Sequence, residues 1–184
     1  MFENLVVSQC APTMAGLKTG NLFTCPFAGK DILHKNLRRL NEALVPRGAR
    51  ILPLRYGESR VLLYMYRPGQ LKKDLSDAAA LDLLRQREYP CGNSEKCLLE
   101  LMRRLRAQKD FPHEIGLFLG YPPEDVLGFI ENKAEKAKTV GTWKVYGDEK
   151  EARRKFDLYR KCTRIYCDIF RKNHSFDRLI VAVS

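Results

Sequence analysis

Residues 111–130, FPHEIGLFLGYPPEDVLGFI, form the segment that most constrains the fold of this chain. The run IGLFL at 115–119 is short and continuously apolar, which is typical of a strand buried on both faces. The following YPPED favours a helix start, because proline is tolerated in a first helical turn and carboxylates there complement the positive end of the helix dipole. The segment therefore predicts a buried strand that leads into an amphipathic helix, and open α/β sheets bind ligands at such junctions.

Further strands are predicted on both sides of this segment. Residues 50–55 and 60–67 flank the turn YGES, and this arrangement is typical of an antiparallel hairpin. Residues 143–146 and residues 179–183 predict two more short strands. Residues 14–21 are predicted to form a compact turn or a short helix that ends at Gly20.

Helices are predicted from apolar residues at helical spacing and from capping residues. They cover residues 2–9, 31–44, 71–74, 78–86, a segment that starts at Asn93 or Ser94, and a long segment after Asp148. The first helix is expected to end at Pro12. In the second, one apolar stripe is expected to contain Ile32, Leu33, Leu37, Leu40 and Leu44.

These elements predict an α+β fold in a single domain that spans residues 1–184. One mixed sheet of about five strands, made of the early antiparallel hairpin and then alternating strands and helices, is packed by amphipathic helices. The chain has 184 residues, of which 45% are hydrophobic, so it can bury a full core without a disulfide or metal. No run approaches the roughly 18 apolar residues of a membrane span, and the N-terminus lacks a secretory signal. We therefore expect a cytoplasmic protein that does not enter a membrane.

The six cysteines do not show the spacing of a zinc ribbon or a redox motif, because no pair is separated by two residues. We interpret them as reduced, mostly structural thiols in preference to a metal cluster. They are Cys10, Cys25, Cys91, Cys97, Cys162 and Cys167.

The formal net charge of +11 predicts attraction to anions. The excess is spread along the chain and is not gathered in a tail. Three interpretations follow: solvated helix faces, a pocket for a phosphorylated or carboxylated ligand, or a nucleic-acid surface.

Known phosphate motifs are excluded. The string GLKT at residues 16–19 lacks the glycine that a phosphate loop requires immediately before its lysine. Nevertheless, Lys18, Thr19 and Asn21 lie in a turn flanked by glycines, and such a turn can present a lysine and backbone donors to an anion. The alternative is an ordinary polar loop.

His113 and Glu114 precede the apolar run, and Tyr121 follows it. His113 and Glu114 could serve acid–base chemistry, and His113 could ligate iron or haem. The alternative is a histidine that bonds the backbone at the strand entry. Tyr121 either faces a ligand at the junction or packs beneath the prolines.

Lys144 and Tyr146 lie on the strand predicted at residues 143–146. Alternate residues of a strand point to the same face, so we expect these two side chains together. Lys144 either reaches solvent or faces a pocket.

Four strings resemble a bacterial family catalogued as domain of unknown function 3793. They are CAPTMAGLKTGNLF (10–23), FPHEIGLFLGYPPEDVLGFI (111–130), GTWKVYGD (141–148) and YRKCTRIY (159–166). The resemblance spans nearly the whole chain and implies a single-domain cytoplasmic protein without an assigned activity. Its recurrent strings select Cys10, Lys18, His113, Glu114, Tyr121, Lys144 and Tyr146 as site candidates.

Three functions from different classes follow. The first is a binding protein or enzyme for a small anionic, phosphorylated or nucleotide-like ligand, whose charge Lys18 and Lys144 neutralise. The second is iron or haem handling, with His113 and a cysteine such as Cys10 as ligands. The third is nucleic-acid binding, which we rank last because the basic residues are dispersed. If the protein is an enzyme, the candidates for catalysis are His113, Glu114 and Cys10. The sequence does not predict a reaction, a cofactor or an oligomeric state.

Overall fold

The structure of the protein, a computed structural model, describes residues 2–107 and 111–182. The described residues fall into two compact units, one within Met1–Gly69 and Tyr159–Ser184, the other within Gln70–Leu158. Helices and strands are mixed along the chain, which confirms the α+β class. The prediction of one domain over residues 1–184 stays a prediction.

The first unit is built around a three-stranded antiparallel sheet. Its helices are α1 (Phe2–Met14) and α2 (Lys30–Leu44), and its strands are β1 (Gly20–Pro26), β2 (Arg50–Tyr56) and β3 (Arg60–Tyr66). The strand order is β1-β3-β2, so the hairpin strand β3 lies in the centre. The predicted hairpin is confirmed, with Ile51 opposite Met65 and Tyr56 opposite Val61.

The core of this unit lies on one face of the sheet. Val61, Leu63 and Met65 are fully buried and share this face, because alternate residues of a strand point to the same side. Helices α1 and α2 contribute apolar side chains to the same cluster, and so does Phe170. Four of the five residues predicted for the α2 stripe are buried, but the prediction for Ile32 was wrong, because its exposed fraction is 60%.

Two sequence predictions around the connection between α1 and β1 were wrong. Helix α1 continues past Pro12 to Met14, since a proline near the end of a helix removes only one backbone bond. Strand β1 begins at Gly20, where a turn was predicted, because pairing with β3 supplies the backbone bonds. The decisive contact of β1 is therefore about forty residues away in sequence.

The second unit is mostly helical. Its elements are α4 (Ala78–Gln86), α5 (Ser94–Ala107), α6 (Ile115–Phe118), α7 (Pro123–Glu131) and two short strands, β4 (Thr139–Val140) and β5 (Lys144–Val145). Helices α3 (Pro68–Asp74) and α8 (Glu149–Asn173) each have residues in both units. The predicted cap of α5 is confirmed, because the Asn93 side chain accepts a hydrogen bond from the Lys96 amide at 3.0 Å.

The predicted five-stranded mixed sheet was wrong. The described residues contain a three-stranded and a two-stranded sheet. The apolar run at 115–119 forms α6 and its last turn, in which the Leu119 amide bonds the Ile115 and Gly116 carbonyls. Gly120 ends the turn with a φ of 74°, a conformation that glycine adopts without a steric cost. A short apolar run fits a buried helical turn as well as a strand.

The strand predicted at residues 179–183 was also wrong for the part that the structure describes. A 3-10 turn covers Asp177–Leu179, and residues 180–182 are irregular, while Val183 lies outside the described residues. The Val181 amide bonds the Met14 carbonyl at 3.0 Å, which attaches this segment to the end of α1. None of the helices that the structure describes combines the length and the apolar character of a membrane span.

Candidate functional site

Asp125 organises the region around the start of α7. Its side chain is buried, with an exposed fraction of 3%. One carboxylate oxygen accepts a hydrogen bond from the Trp143 indole nitrogen, and the other accepts from the Tyr146 and Gly147 amides, all at 2.7 Å. Buried carboxylates are stable when such donors satisfy both oxygens. Asp125 thus fixes the β4–β5 hairpin and the segment after it against α7.

Trp143 is the centre of an aromatic cluster that this anchor holds in place. Its ring stacks on Tyr121 with centroids 4.9 Å apart and meets the Phe156 ring edge-on at 4.6 Å. The Tyr121 hydroxyl donates to the Thr142 carbonyl at 3.2 Å. A second aromatic pair lies nearby, where His113 meets Phe129 edge-on at 5.1 Å.

Gly116 allows α6 to approach this cluster closely. A Cβ atom at this position would lie 2.8 Å from a Val126 methyl group and 3.1 Å from the Tyr121 ring. The absence of a side chain is therefore a packing requirement. The close approach brings the start of α6 beside α7, and both Gly116 and Val126 line a space at this junction.

That space is a cavity of about 390 Å³, which we name the aromatic cavity. It is lined by described residues of the second unit alone. The side chains most relevant to a ligand are Phe111, His113, Tyr121, Phe129, Trp143 and Lys144. The volume falls in the range of small-molecule sites, which are mostly apolar with a few polar groups.

Lys144 supplies the ammonium group of the aromatic cavity. Its Nζ donates to the Ala134 carbonyl at 2.7 Å and lies 6.0 Å from the centre of the Phe129 ring. Lys138, on the same hairpin, donates to the Gly147 carbonyl at 2.7 Å but does not line the cavity. Each lysine therefore holds a backbone carbonyl near the hairpin, but of the two only Lys144 lines the aromatic cavity.

A second cavity of about 280 Å³ lies beyond the Tyr121–Trp143 stack, and we name it the acidic cavity. Asp77 and Asp148 each cap a helix there, by accepting from backbone amides of the first turns of α4 and α8. Its lining also includes Asp74, Glu124, Asp125, Glu151 and Lys155. Because carboxylates already complement these helix starts, the acidic cavity repels anions.

Glu114 points away from the aromatic cavity. It is buried and accepts hydrogen bonds from the Tyr89 hydroxyl at 3.0 Å and from Arg104 at 3.4 Å. Burial, followed by the Glu114 charge, raises the pKa of Tyr89. The hydrogen bonds of Glu114 therefore indicate a structural role. The neighbouring residue, His113, is exposed. A joint catalytic role for the two residues stays a prediction.

Tyr146 packs against Gly128, where an added Cβ would lie 2.5 Å from the tyrosine. Its hydroxyl is buried and has no hydrogen-bond partner among residues 2–107 and 111–182. Burial, with a smaller contribution from Asp125, raises the pKa of Tyr146. The hydroxyl is therefore expected to stay protonated.

The candidates of the first unit lie around the end of α1. Lys18 is buried and its Nζ donates to the Gly20 carbonyl at 2.6 Å. Burial lowers the pKa of Lys18 to about 8, and nearby Cys10 partly opposes that shift. The Asn21 side chain accepts from the Thr13 hydroxyl at 2.8 Å, and Thr19 is buried. These polar groups stabilise the connection between α1 and β1.

Cys10 is fully buried, and burial raises its pKa, so the thiol stays protonated at neutral pH. A protonated buried thiol is a poor nucleophile and a poor metal ligand. Within the described ranges, no group of three or more His, Cys, Asp or Glu residues is arranged to hold a metal ion. All six cysteines are free.

Arg67 is a buried charge that the sequence reasoning missed. Its exposed fraction is 1%, and its guanidinium donates to the carbonyls of Thr13, Met14, Arg47 and Val181 at 2.6–3.0 Å. Burial lowers its pKa. An arginine directly after a strand and before Pro68 carries no local signal for such a role, because its partners come from three distant segments.

Of the nine predicted site residues, His113, Tyr121 and Lys144 line the aromatic cavity together. Cys10, Lys18, Thr19 and Asn21 belong to the other unit, and Glu114 and Tyr146 have the environments described above. Asp125, Phe129 and Trp143 were not singled out as site residues. The available signals were a carboxylate two residues after a Pro-Pro pair and the single tryptophan of the chain.

A family model described as protein of unknown function (DUF3793) matches residues 6–180. The chain belongs to this family. The match confirms the resemblance that the four strings gave. Neither the curated proteins nor the solved structures give a match. Because the DUF3793 description carries no activity, the function of this DUF3793 protein has to be argued from its own geometry.

Proposed function

We propose that the protein binds a small ligand with a flat aromatic ring and a negative charge, such as a nucleotide-like compound, in the aromatic cavity. The observation that carries this proposal is the convergence of two aromatic pairs and one ammonium group on a single space. The pairs are Tyr121–Trp143 and His113–Phe129, and the ammonium group belongs to Lys144.

The ring of the ligand would be held by aromatic side chains. Aromatic groups attract each other in stacked and edge-on arrangements, and each pair contributes about 0.5–1.5 kcal/mol beyond its buried area. Base stacking on aromatic side chains contributes about 1–3 kcal/mol for each base in nucleic-acid proteins. A volume of about 390 Å³ accommodates one fused ring system with a substituent.

The charge of the ligand would be neutralised by Lys144. Its Nζ uses one of three donors on the Ala134 carbonyl, so its other donors can point to a ligand. Of the two neighbouring cavities, the aromatic cavity is the better site for an anion, because the clustered carboxylates of the acidic cavity repel negative charge. The net charge of +11 would further raise the rate of anion encounter.

Trp143 provides a direct assay, because it is the single tryptophan of the chain and lines the aromatic cavity. We expect its fluorescence to change on titration with at least one compound in a panel of AMP, GMP, UMP and pyridoxal phosphate. The same compound should raise the melting temperature, since a ligand at one hundred times its Kd adds about 2.7 kcal/mol of stability. A panel that changes neither signal would contradict the proposal.

Two lysine variants separate binding from folding. Lys144→Met should weaken the binding of the panel compound by about tenfold or more, because a charge-assisted hydrogen bond is lost. Lys138→Met is the matched control, since Lys138 bonds a carbonyl of the same hairpin without lining the cavity. Equal losses of affinity in the two variants would assign Lys144 a structural role only.

Iron or haem handling by His113 and a cysteine stays a prediction, and so does nucleic-acid binding by the basic helices. An absorbance spectrum of protein purified without oxygen tests the first. The second predicts an affinity for nucleic acid that falls steeply with salt concentration.

A further inference from the structure

We infer that the ligand of the aromatic cavity carries one anionic group, a carboxylate or a single phosphate, and is not a nucleoside diphosphate or triphosphate. This inference rests on the proposed function and names its ligand class. It follows from a comparison of the charges that the cavity presents with those that a polyphosphate requires.

The described residues that line the cavity include few cationic groups. Among its described lining residues, Lys144 is the ammonium group, His113 is the imidazole, and arginine is absent. Polyphosphate sites surround each phosphate with arginines, lysines, a metal ion or a series of backbone amides. One lysine with part of its donor capacity already used on Ala134 matches one anionic group.

Backbone amides do not make up the difference. The start of α6 lines the cavity through Ile115 and Gly116, whose amides already donate to the Pro112 and His113 carbonyls at 3.1 and 3.4 Å. Helix α7 lines the cavity through Asp125 and Val126, and the two prolines at its start carry no amide hydrogen. The Asp125 amide donates to the Pro122 carbonyl at 3.0 Å. Glu124 and Asp125 place two carboxylates in the first turn, so this helix start offers no positive field for a phosphate chain.

The walls of the cavity also limit a longer anion. Asp125 is among the lining residues, and its carboxylate accepts three hydrogen bonds. The acidic cavity shares Tyr121, Asp125 and Trp143 with the aromatic cavity. A second or third phosphate would therefore approach carboxylates, and like charges repel at such distances.

The test compares ligands that share a ring and differ in charge. Adenosine, AMP, ADP and ATP form one series, and quinoline with quinoline-2-carboxylate forms another. Trp143 fluorescence and the melting temperature of the full chain are measured with magnesium absent, so that each phosphate keeps its own charge. In at least one series we expect the singly substituted anion to bind about tenfold more tightly than the neutral ring. ADP and ATP should bind no more tightly than AMP.

The other possible results of this experiment contradict the inference, the proposed function or both. If ADP or ATP binds tenfold more tightly than AMP, the single-anion inference is wrong and the proposed function stands. If the neutral ring binds as tightly as its anion, the inference is wrong and so is the negative charge in the proposed function, and the cavity is an aromatic site without charge selection. If no compound of either series changes the fluorescence or the melting temperature, both the inference and the proposed function fail.

Lys144 variants give an independent readout. In Lys144→Met the preference for AMP over adenosine, or for the carboxylate over quinoline, should disappear, while affinity for the neutral ring is retained. Lys144→Arg should keep the preference, because the positive charge remains. Lys138→Met should keep both affinities. Retention of the full preference in Lys144→Met would overturn the assignment of the charge-selecting group.

Discussion

The carboxylate of Asp125 accepts a 2.7 Å hydrogen bond from the indole nitrogen of Trp143, eighteen residues further along the chain. The same side chain accepts two more hydrogen bonds of 2.7 Å from backbone amides after Trp143. One buried residue therefore sets both the tryptophan ring and the chain that follows it. The position of the Trp143 ring in the aromatic cavity depends on this contact.

Asp125→Ala is expected to lower the free energy of unfolding by about 3 kcal/mol or more. The substitution leaves the Trp143 indole nitrogen and two amides without their acceptor, and each unsatisfied buried donor costs about 1–3 kcal/mol. Urea unfolding followed by Trp143 fluorescence measures the change. Glu124→Ala is the control, because Glu124 is the exposed neighbour on the same helical turn. Equal effects of the two substitutions would refute the anchoring role of Asp125.

Gly141→Ala is expected to destabilise the protein by about 1–3 kcal/mol, the typical cost of overpacking. An added Cβ would lie 2.2 Å from the Phe156 ring, which is buried. Gly69→Ala is the matched control, since nothing lies within 4 Å of its added Cβ. Gly69 belongs to α3, so alanine there should stabilise by about 0.5–1 kcal/mol. Thermal unfolding checks this prediction: the melting temperature should fall in Gly141→Ala and rise in Gly69→Ala.

Lys18 is expected to make stability rise with pH between about 8 and 10.5. Burial lowers its folded-state pKa to about 8 from 10.5, so in this window the unfolded chain binds more protons than the folded chain. Raising the pH therefore favours folding, by up to about 3 kcal/mol. Below pH 8 both states are protonated and this contribution does not change with pH.

The measurement is the free energy of unfolding in urea at about pH 7.5, which lies below the window, and at about pH 8.5 and 9.5, which lie within it. The unmodified chain should gain stability relative to Lys18→Met as the pH rises through this window, because the buried thiols with raised pKa values, such as Cys162, act in both chains. Lys35→Met, at an exposed position of α2, should show the same gain. Identical pH profiles for the two variants would show that the Lys18 ammonium is not desolvated in the folded chain.

Cys91 is expected to be the thiol that reacts fastest with a water-soluble disulfide reagent. It is exposed, whereas Cys10, Cys25, Cys97 and Cys162 are buried and Cys167 is half-buried. Burial raises the pKa of the Cys162 thiol to about 11 and lowers its thiolate fraction accordingly. Cys91→Ser should remove the fast phase of the reaction, while half-buried Cys167 reacts more slowly and the four buried thiols react only on unfolding. Persistence of the fast phase in this variant would contradict the assignment of the fastest reaction to Cys91.

The hairpin shows what local sequence signals predict well. Its strands are apolar runs separated by a short turn, so the pairing of β2 with β3 follows from neighbouring residues. Helix α2 was predicted almost to its bounds, because an apolar stripe of leucines recurs at helical spacing. The failure at Ile32 arose because a residue at the edge of a stripe is buried only if a neighbour covers it.

The segment at 115–119 shows where local signals fail. Its apolar residues fit a buried strand and a buried helical turn equally, and only the surroundings distinguish them. Close packing of Gly116 on Val126 and the left-handed Gly120 favour the helical turn. The segment nevertheless helped to locate the candidate site. His113 and Tyr121, which flank it and were predicted as site residues, both line the aromatic cavity.

The sequence alone determined the elements whose signals lie within a few residues, and it determined family membership through strings that span the chain. The tertiary structure decided which polar groups become buried and which aromatic groups meet. Arg67 reaches carbonyls as far away as Val181, and Asp125 reaches Trp143 across a hairpin. Such contacts depend on the free energy of packing between distant segments, and composition and periodicity carry no record of it.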